Sequence, residues 1–164
     1  MAYDIYDASI PPLIHMLSSL GTILSKGEAH GGIDPAEARL APDMLPLKAQ
    51  VYIATDGAKG CGARLAGVDI PKYEDIETTF PELKARVAKT IAFLKGLDRK
   101  KFAGAESKEI VLKFPNSTFE FNGATYVGNF VLPNVFFHIT IAYGILRNRG
   151  VALGKPDYLG GAQE

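Results

Sequence analysis

The sequence predicts an all-α protein: a four-helix bundle with a small β-hairpin between the third and fourth helices. Four segments of bundle length carry apolar residues at helical spacing. One short region, just before the last of these segments, alternates apolar and polar residues as strands do. The chain has 164 residues, a natural size for one hydrophobic core. We therefore expect residues 1–164 to form a single domain.

Capping residues near the N-terminus predict where the first helix begins. Asp7 or Ser9 can cap it, and Pro11 and Pro12 suit a first turn, where a missing amide proton costs least. The helix is predicted to end at His30, because two glycines follow and glycine readily forms a left-handed cap. Its buried side is predicted to comprise Leu13, Met16, Leu17, Leu20, Ile23 and Leu24.

The second helix is predicted over about residues 46–65, and its apolar side is thin. Gly57, Gly60 and Gly62 lie in its second half. A glycine inside a helix costs up to ~1 kcal/mol relative to alanine. Several together predict that another element packs closely there, either a helix of the same chain or a second subunit. Cys61 lies among these small residues, which favours a buried, inert thiol over a nucleophile.

The third helix and the hairpin have clear local signals. Thr79 and Glu82 predict the start of the helix, and Gly96 predicts its end. Residues 108–114 and 117–121 then alternate in the manner of two strands, and the short link between them can turn. A single hairpin is marginal alone, so we expect it to lean on the helices.

The fourth helix is predicted over about residues 124–148, with Asn122 as its cap. Pro133 lies inside it and is expected to cause a kink, since proline removes one backbone hydrogen bond. Phe137 is expected to be buried, and the tail after residue 150 is expected to be irregular. One helical face is predicted to carry Val127, Val131, Asn134, His138, Ile141 and Ile145.

Charge and composition exclude several classes of function. Eighteen basic residues balance eighteen acidic ones, so the sequence gives no electrostatic reason to expect nucleic acid or anionic membrane as a partner. No glycine loop matches a nucleotide-binding pattern. The single cysteine allows no intramolecular disulfide. With no signal-peptide pattern and no uninterrupted apolar segment of membrane-spanning length, we expect a soluble, cytoplasmic protein.

The three histidines do not form a metal-binding pattern. Zinc and iron sites usually take three or more histidine, cysteine or carboxylate ligands. His15 is expected on the polar side of the first helix, and His30 at the end of that helix. One turn after His138 stands Ala142, and one turn before it stands Asn134, so no pair of histidines shares a helical face. We therefore expect no metal and no cofactor.

A polar pair on an apolar helix face remains as the candidate site. Asn134 and His138 are one turn apart, so their side chains can touch. They either satisfy backbone groups in the core, which is the simpler interpretation, or line a small pocket in which His138 acts as a base or anchors a ligand. Asp56 on the second helix could orient His138 for base catalysis. Tyr52 and Tyr143 could line the same space.

The sequence also resembles a known family. The stretch "FVLPNVFFHITIAYGILRNRGVALGKPDYLG", with "EAHGG" after the first helix and "ATDGAKG" in the second, resembles a bacterial domain family of unknown function. That family is grouped with the DinB/YfiT-like four-helix bundles, and the similarity runs from end to end. The resemblance implies a DinB-like up-down-down-up bundle, often dimeric, with no established activity.

The resemblance also implies that two histidines of a metal site are missing from this sequence. DinB-like relatives with known chemistry carry three metal-binding histidines, one on helix two and two that lie four residues apart on helix four. Some of these relatives are metal-dependent thiol transferases. In this sequence His138 matches the first histidine of the helix-four pair, Ala142 stands in place of the second, and residues 45–67 contain no histidine. The resemblance thus implies a degenerate metal site.

Three functional hypotheses follow from the sequence. The first is a homodimer that binds a small molecule or a partner near Asn134 and His138 without metal chemistry. The second is a hydrolase or transferase that uses His138 with Asp56, although Lys59 could instead pair with that aspartate. The third is an atypical metal site that combines His138 with Gln50, Asp56 or Asn134.

Overall fold

In the computed structural model, which describes residues 3–160, four long helices form a bundle and a hairpin precedes the last of them. This arrangement confirms the predicted fold. Helix α2 packs mainly on α4, and α1 packs mainly on α3. Two short 3₁₀ turns, Arg99–Phe102 and Ala105–Ser107, lead from α3 to the hairpin. The elements are α1 (Ile5–His30), α2 (Leu47–Ala66), α3 (Phe80–Lys95), β1 (Glu109–Phe114), β2 (Ser117–Asn122), α4 (Gly123–Asn148) and α5 (Lys155–Leu159).

Helix α1 begins earlier than predicted. Its cap is Asp4, neither Asp7 nor Ser9, and the two prolines lie inside the helix. The Asp4 carboxylate accepts a hydrogen bond from the Asp7 amide at 3.1 Å, and the Asp7 carboxylate accepts one from the Asp4 amide at 3.2 Å. Arg99 binds both carboxylates. This three-residue cluster stabilises one extra turn ahead of the prolines.

The glycines of α2 are explained by helices of the same chain. A Cβ at Gly62 would lie 2.8 Å from Leu94 of α3, and a Cβ at Gly57 would lie 3.1 Å from Val135 of α4. Of the two predicted alternatives, another helix is therefore the one that the structure shows at these positions. The glycines let α3 and α4 approach α2 closely.

Helix α4 follows β2 without a linker and contains a π-helical turn. Asn122 caps it as predicted, accepting from the Thr125 amide at 2.8 Å. The π turn spans Tyr126–Val131, directly before Pro133, whose missing amide interrupts the hydrogen-bond ladder. The sequence predicted a kink at Pro133, and what the structure shows next to the proline is this π-helical turn.

The π turn changes which residues of α4 are buried. It winds more residues into each turn than an α-helix does, and the buried positions advance in steps of four from Val127 to Ile139. The stripe consists of Val127, Val131, Val135, Ile139, Ala142, Ile145 and Leu146. Asn134, His138 and Ile141, predicted at the centre of the face, lie at its half-buried edge instead. Phe137 is 55% exposed, so the prediction that it is buried was wrong.

The chain's tail also differs from the prediction. Residues 155–159 form a short helix, α5, that packs on α1. Lys26 of α1 and Asp157 of α5 form an ion pair at 2.7 Å. The segment expected to be irregular is thus ordered by α1.

Two helices, α1 and α4, are long and apolar enough to cross a membrane by length and composition alone. Half of the relevant window of α1 and a third of that of α4 are buried inside the fold. The core helices of a soluble bundle have the same properties.

A buried arginine joins α3 to α2. The side chain of Arg86 is fully buried, and its Nε donates to the Thr55 hydroxyl at 2.8 Å. Its Nη2 donates to the Asp56 carboxylate at 2.9 Å. Both acceptors belong to α2, so this one side chain ties the two helices together.

The same guanidinium orders the segment between α2 and α3. Its Nη1 donates to the Glu74 carbonyl and to the Glu77 carboxylate, both at 3.1 Å, and its Nη2 lies 3.0 Å from the Asp75 carboxylate. With the two α2 acceptors this makes five oxygen partners for the five N–H groups of one guanidinium. The segment over residues 67–79 is held to the helices by these polar contacts.

The exposure of Phe137 predicts a small effect on stability. We expect Phe137→Ala to change the free energy of unfolding by less than ~1 kcal/mol, as exposed positions usually do. Ile139→Ala, two residues on and fully buried, should lower it by about 2–5 kcal/mol. Urea denaturation measures both. A large loss of stability in Phe137→Ala with a small loss in Ile139→Ala would show that α4 buries the opposite face.

Removal of Arg86 should destabilise the protein. We expect Arg86→Met to lower the free energy of unfolding by about 3 kcal/mol, because breaking a buried ion pair leaves uncompensated charges. This value is at the lower end of the losses usual for a broken buried ion pair, because Asp56 and Asp75 are about half-exposed and water can solvate them once Arg86 is gone. Lys95→Met, at an exposed site of the same helix, should change it by under ~0.5 kcal/mol. Equal denaturation midpoints for the two variants would contradict this role.

Candidate functional site

The candidate site centres on His138 and its contact with α2. The imidazole is half-buried on α4, and its Nδ1 lies 2.7 Å from Oε1 of Gln50. Gln50 is itself buried, on the face of α2 that meets α4. The two residues are 88 positions apart in the chain, so the packing of the two helices creates the contact.

A second hydrogen bond fixes the orientation of the Gln50 amide. Its Nε2 donates to the backbone carbonyl of Leu45 at 3.0 Å. A carbonyl can only accept, so the amide nitrogen must face Leu45 and Oε1 must face His138. The Nδ1 of His138 therefore carries the proton, and Nε2 of the neutral ring has a free lone pair.

Burial keeps the His138 ring neutral. It lowers the pKa of His138 below its ordinary value of 6.5, because the charged imidazolium is disfavoured away from water. The Gln50 amide carries no charge that would offset this effect. Near neutral pH the residue thus offers a fixed, uncharged acceptor at Nε2.

Asn134 lies on the same side of α4 as His138. Its amide nitrogen would be 3.5 Å from a Cβ placed at Gly57 of α2. The glycine leaves room for this amide against the α2 backbone. The structure thus brings the predicted polar pair to one interface, where Gln50 and Gly57 face it from α2.

Tyr52 and Asp56 lie elsewhere on α2. Asp56 follows Gln50 by six residues, which places it roughly 120° away around the helix axis. Its carboxylate binds Arg86 and Lys59, the lysine that the sequence suggested as its alternative partner. The structure does not pair Asp56 with His138.

Tyr52 belongs to the same network as Asp56. Its hydroxyl donates to the Glu77 carbonyl, and its ring centroid lies 4.7 Å from the guanidinium carbon of Arg86. Burial is the main cause that raises the pKa of the Tyr52 hydroxyl, with the Glu77 carboxylate second. Tyr52 therefore helps to hold the α2–α3 connection.

Tyr143 faces the chain's tail. Its hydroxyl is 3.5 Å from the Leu153 carbonyl, and its ring meets Tyr158 of α5 edge-on at 6.5 Å. Of the five predicted residues, Tyr52 and Asp56 thus share the Arg86 network, Tyr143 contacts the tail, and Asn134 and His138 lie at the interface of α2 with α4. The residue that completes their site is Gln50, which the sequence analysis named only as an optional metal ligand. Its spacing of seven from Gly57, two helical turns, is the signal that places both on one face of α2.

The resemblance implies a degenerate metal site, and the residues around His138 offer few groups that could ligate a metal ion. Gln50 offers a neutral amide whose two polar atoms are already bonded, and Ala142 offers a buried methyl group. Within residues 3–160 there is no group of three or more histidine, cysteine, aspartate or glutamate side chains arranged for a metal ion. Of His138, Gln50 and Ala142, the imidazole is thus the residue with an unbonded ligand atom.

A cleft of about 630 Å³ lies on another side of the bundle, between α1 and α5. His15 lies within it, and its Nε2 is 2.8 Å from the Leu159 carbonyl. None of the five predicted site residues lines this cleft. Its walls are formed by Pro11, Ile14, His15, Ser18, Ser19, Thr22, Pro156, Asp157 and Gly160.

Comparisons with known proteins place the chain in a family. The family model described as a domain of unknown function, DUF1993, matches residues 5–159. A crystal structure of a DinB family member protein from Shewanella denitrificans is 37% identical and has a TM-score of 0.83. The similarity covers 97% of this chain and 93% of that one. No curated protein matches the chain. The chain therefore belongs to DUF1993, a DinB-like family of unknown function.

Proposed function

We propose that the protein binds a small molecule at Nε2 of His138, without a metal ion, and that it works as a cytoplasmic homodimer. One observation carries the binding site: the hydrogen-bond chain from Leu45 through Gln50 to His138. This chain orients the ring and leaves its Nε2 as an acceptor. A preorganised acceptor of this kind is what a ligand hydroxyl, amide N–H or ammonium group can use.

The neighbouring side chain supplies an apolar surface. The exposed ring of Phe137 lies edge-on to the His138 ring, with centroids 5.2 Å apart. A ligand that donates to Nε2 would therefore lie beside an aromatic ring. The chemistry favours a ligand with one hydrogen-bond donor attached to an apolar body.

Binding is favoured over acid–base catalysis because Gln50 is neutral. In catalytic triads a carboxylate stabilises the imidazolium that forms when histidine takes a proton. Here an amide occupies that place, and burial lowers the pKa of His138. The ring is therefore a good hydrogen-bond acceptor and a weak base near neutral pH.

The alternative proposal, a hydrolase or transferase using His138 with Asp56, has less support. The carboxylate of Asp56 binds Arg86 and Lys59, and it would have to leave both to orient the imidazole. Leaving the fully buried Arg86 without this partner would also weaken the connection between α2 and α3.

The cytoplasmic part of the proposal is supported by the cysteine. Cys61 is buried, and burial raises its pKa to about 12, so the thiol stays protonated. A protein with one inert thiol has no need of an oxidising compartment. The homodimer is supported by the apolar residues that the hairpin exposes, among them Val111, Phe114 and Phe119.

The orientation of the His138 ring can be measured directly. We expect nitrogen NMR of labelled histidine near pH 7 to show a protonated Nδ1 and an unprotonated Nε2. Gln50→Ala removes the acceptor of the Nδ1 proton, so the ring should become a mixture of both tautomers. A wild-type ring protonated at Nε2 would exclude the proposed acceptor.

The lowered pKa of His138 predicts how stability depends on pH. Between the folded and unfolded pKa values the unfolded chain binds the proton and the folded chain does not, so the free energy of unfolding rises with pH. The contribution is complete above about 6.5, the unfolded value, and is lost as pH falls below it. His138→Gln should flatten this part of the profile, whereas Phe137→Ala should keep it. Denaturation at a series of pH values tests the slope, and an unchanged slope in His138→Gln argues against a buried neutral ring.

The binding proposal is tested by a thermal-shift screen in the presence of a chelator. The library should contain phenols, alcohols and amines with apolar bodies. We expect hits whose affinity falls about 3- to 10-fold in His138→Phe, which keeps an aromatic ring and removes the acceptor. Hits that need a divalent metal, or that bind His138→Phe equally well, would refute the proposed role.

A further inference from the structure

The outer edge of β1 carries unpaired backbone groups. A two-residue turn, Pro115 and Asn116, joins the strands and closes on the Phe114–Ser117 pair. In an antiparallel ladder the hydrogen-bonded pairs alternate along each strand. Counting back from Phe114, the amide and carbonyl groups of residues 109, 111 and 113 therefore point away from β2.

These outward groups have no partner within the part of the chain that the structure describes. No hydrogen bond from outside the hairpin reaches the backbone of residues 109–114 in that part. Val111, at the middle of the edge, is 39% exposed. An open strand edge with an exposed apolar side chain is a template for another strand.

The sequence of β1 is complementary to itself. When a second β1 lies antiparallel to the first and Val111 faces the partner's Val111, Glu109 faces the partner's Lys113. The reciprocal pair forms on the other side of the two-fold axis, as in any symmetric dimer. The three facing positions are the same three whose backbone groups point outward. Side-chain charge and backbone hydrogen bonding therefore select the same register.

The other edge of the hairpin lacks this complementarity. On β2 the outward backbone groups belong to residues 118, 120 and 122 by the same alternation. Pairing about Glu120 would bring two carboxylates together, and pairing about Phe119 would join Thr118 to the partner's Glu120. Neither register brings opposite charges together, so β1 is the favoured edge.

A groove lies where this register places the tip of the second hairpin. It has a volume of about 410 Å³ and runs between residues 108–111 and residues 67–70. Val68 and Ile70 give it apolar walls, Asp69 and Glu109 add two carboxylates, and Arg64 and Lys108 add two cations. The partner's Lys113 and the partner's Phe114 would arrive at this groove. Val68 and Ile70 offer an apolar surface to that phenylalanine, and Asp69 offers a carboxylate to that lysine.

We propose that two copies of the chain join through their β1 edges into one four-stranded antiparallel sheet. The proposal rests on the homodimer part of the proposed function and is independent of the His138 site. It accounts for a hairpin that is marginal alone and whose Phe114 and Phe119 are 47% and 44% exposed. A four-stranded sheet gives β1 a second hydrogen-bonded neighbour and brings the two aromatic faces side by side.

Charge reversal tests the register. Sedimentation velocity of the full chain should show a dimer for the wild type. Glu109→Lys and Lys113→Glu, each alone, place like charges opposite one another twice per dimer and should raise the dimer dissociation constant about tenfold or more. Mixing these two single variants should restore the dimer, because every facing pair then has opposite charges. The double variant carrying both changes should also dimerise.

Proline substitution tests the edge. Val111→Pro removes an outward amide of β1 and should abolish the dimer, while leaving the β1–β2 hydrogen bonds in place. Thr118→Pro makes the matched change on the β2 edge and should leave the dimer intact. Far-ultraviolet circular dichroism checks that both variants retain the bundle.

Two outcomes would overturn the proposal. A wild-type chain that stays monomeric at its highest soluble concentration would refute both the β1 interface and the homodimer, and would leave the edge for a strand of a different protein. A wild-type dimer that both single charge variants and Val111→Pro leave unchanged would refute the β1 interface alone. In either case binding at His138 is unaffected, and His138→Gln should not alter the dimer.

Discussion

The buried guanidinium of Arg86 holds together a part of the protein that apolar packing does not. The segment over residues 67–79 contributes almost nothing to the hydrophobic core, and Ile76 in it is 71% exposed. Its order comes from Arg86 and from Tyr73, whose ring lies beneath the ammonium groups of Lys59 and Lys89 at 4.0 and 3.8 Å. Because the same arginine binds α2, it also fixes the rotation of that helix, and with it the direction in which Gln50 points.

Helix α2 therefore has two polar sides with different tasks. One side carries Thr55 and Asp56 and holds α3 and the connecting segment. The other carries Gln50 and orients the imidazole of His138 on α4. Asp56, whose carboxylate could have made His138 a stronger base, binds Arg86 on the first side instead. This division leaves the imidazole with a neutral amide as its partner in place of a carboxylate.

The sequence predicted the features that depend on residues within a few helical turns of one another. Helical spacing and caps located the four helices and the hairpin, and the Asn122 cap was correct. The sequence analysis missed the Asp4 cap of α1 because two prolines suggested a later first turn, although the reciprocal Asp4–Asp7 bonds are local and only the added support of Arg99 comes from 92 residues beyond Asp7. The buried face of α4 was predicted wrongly for two reasons. The helix carries apolar residues on all its sides, and the π turn rotates the residues that follow it about the helix axis. The partner of His138 comes from 88 residues away, so only packing reveals it.

The hairpin is joined directly to α4 at Asn122 and Gly123. Strand β2 runs into α4 without a linker, and a Cβ at Gly123 would lie 1.8 Å from the Ala105 carbonyl, so the junction is tightly enclosed. No hinge separates the sheet from the helix that carries His138. Any side chain at position 123 would have to displace the 3₁₀ turn that contains Ala105, so a glycine is what allows a strand to pass straight into a helix at this point.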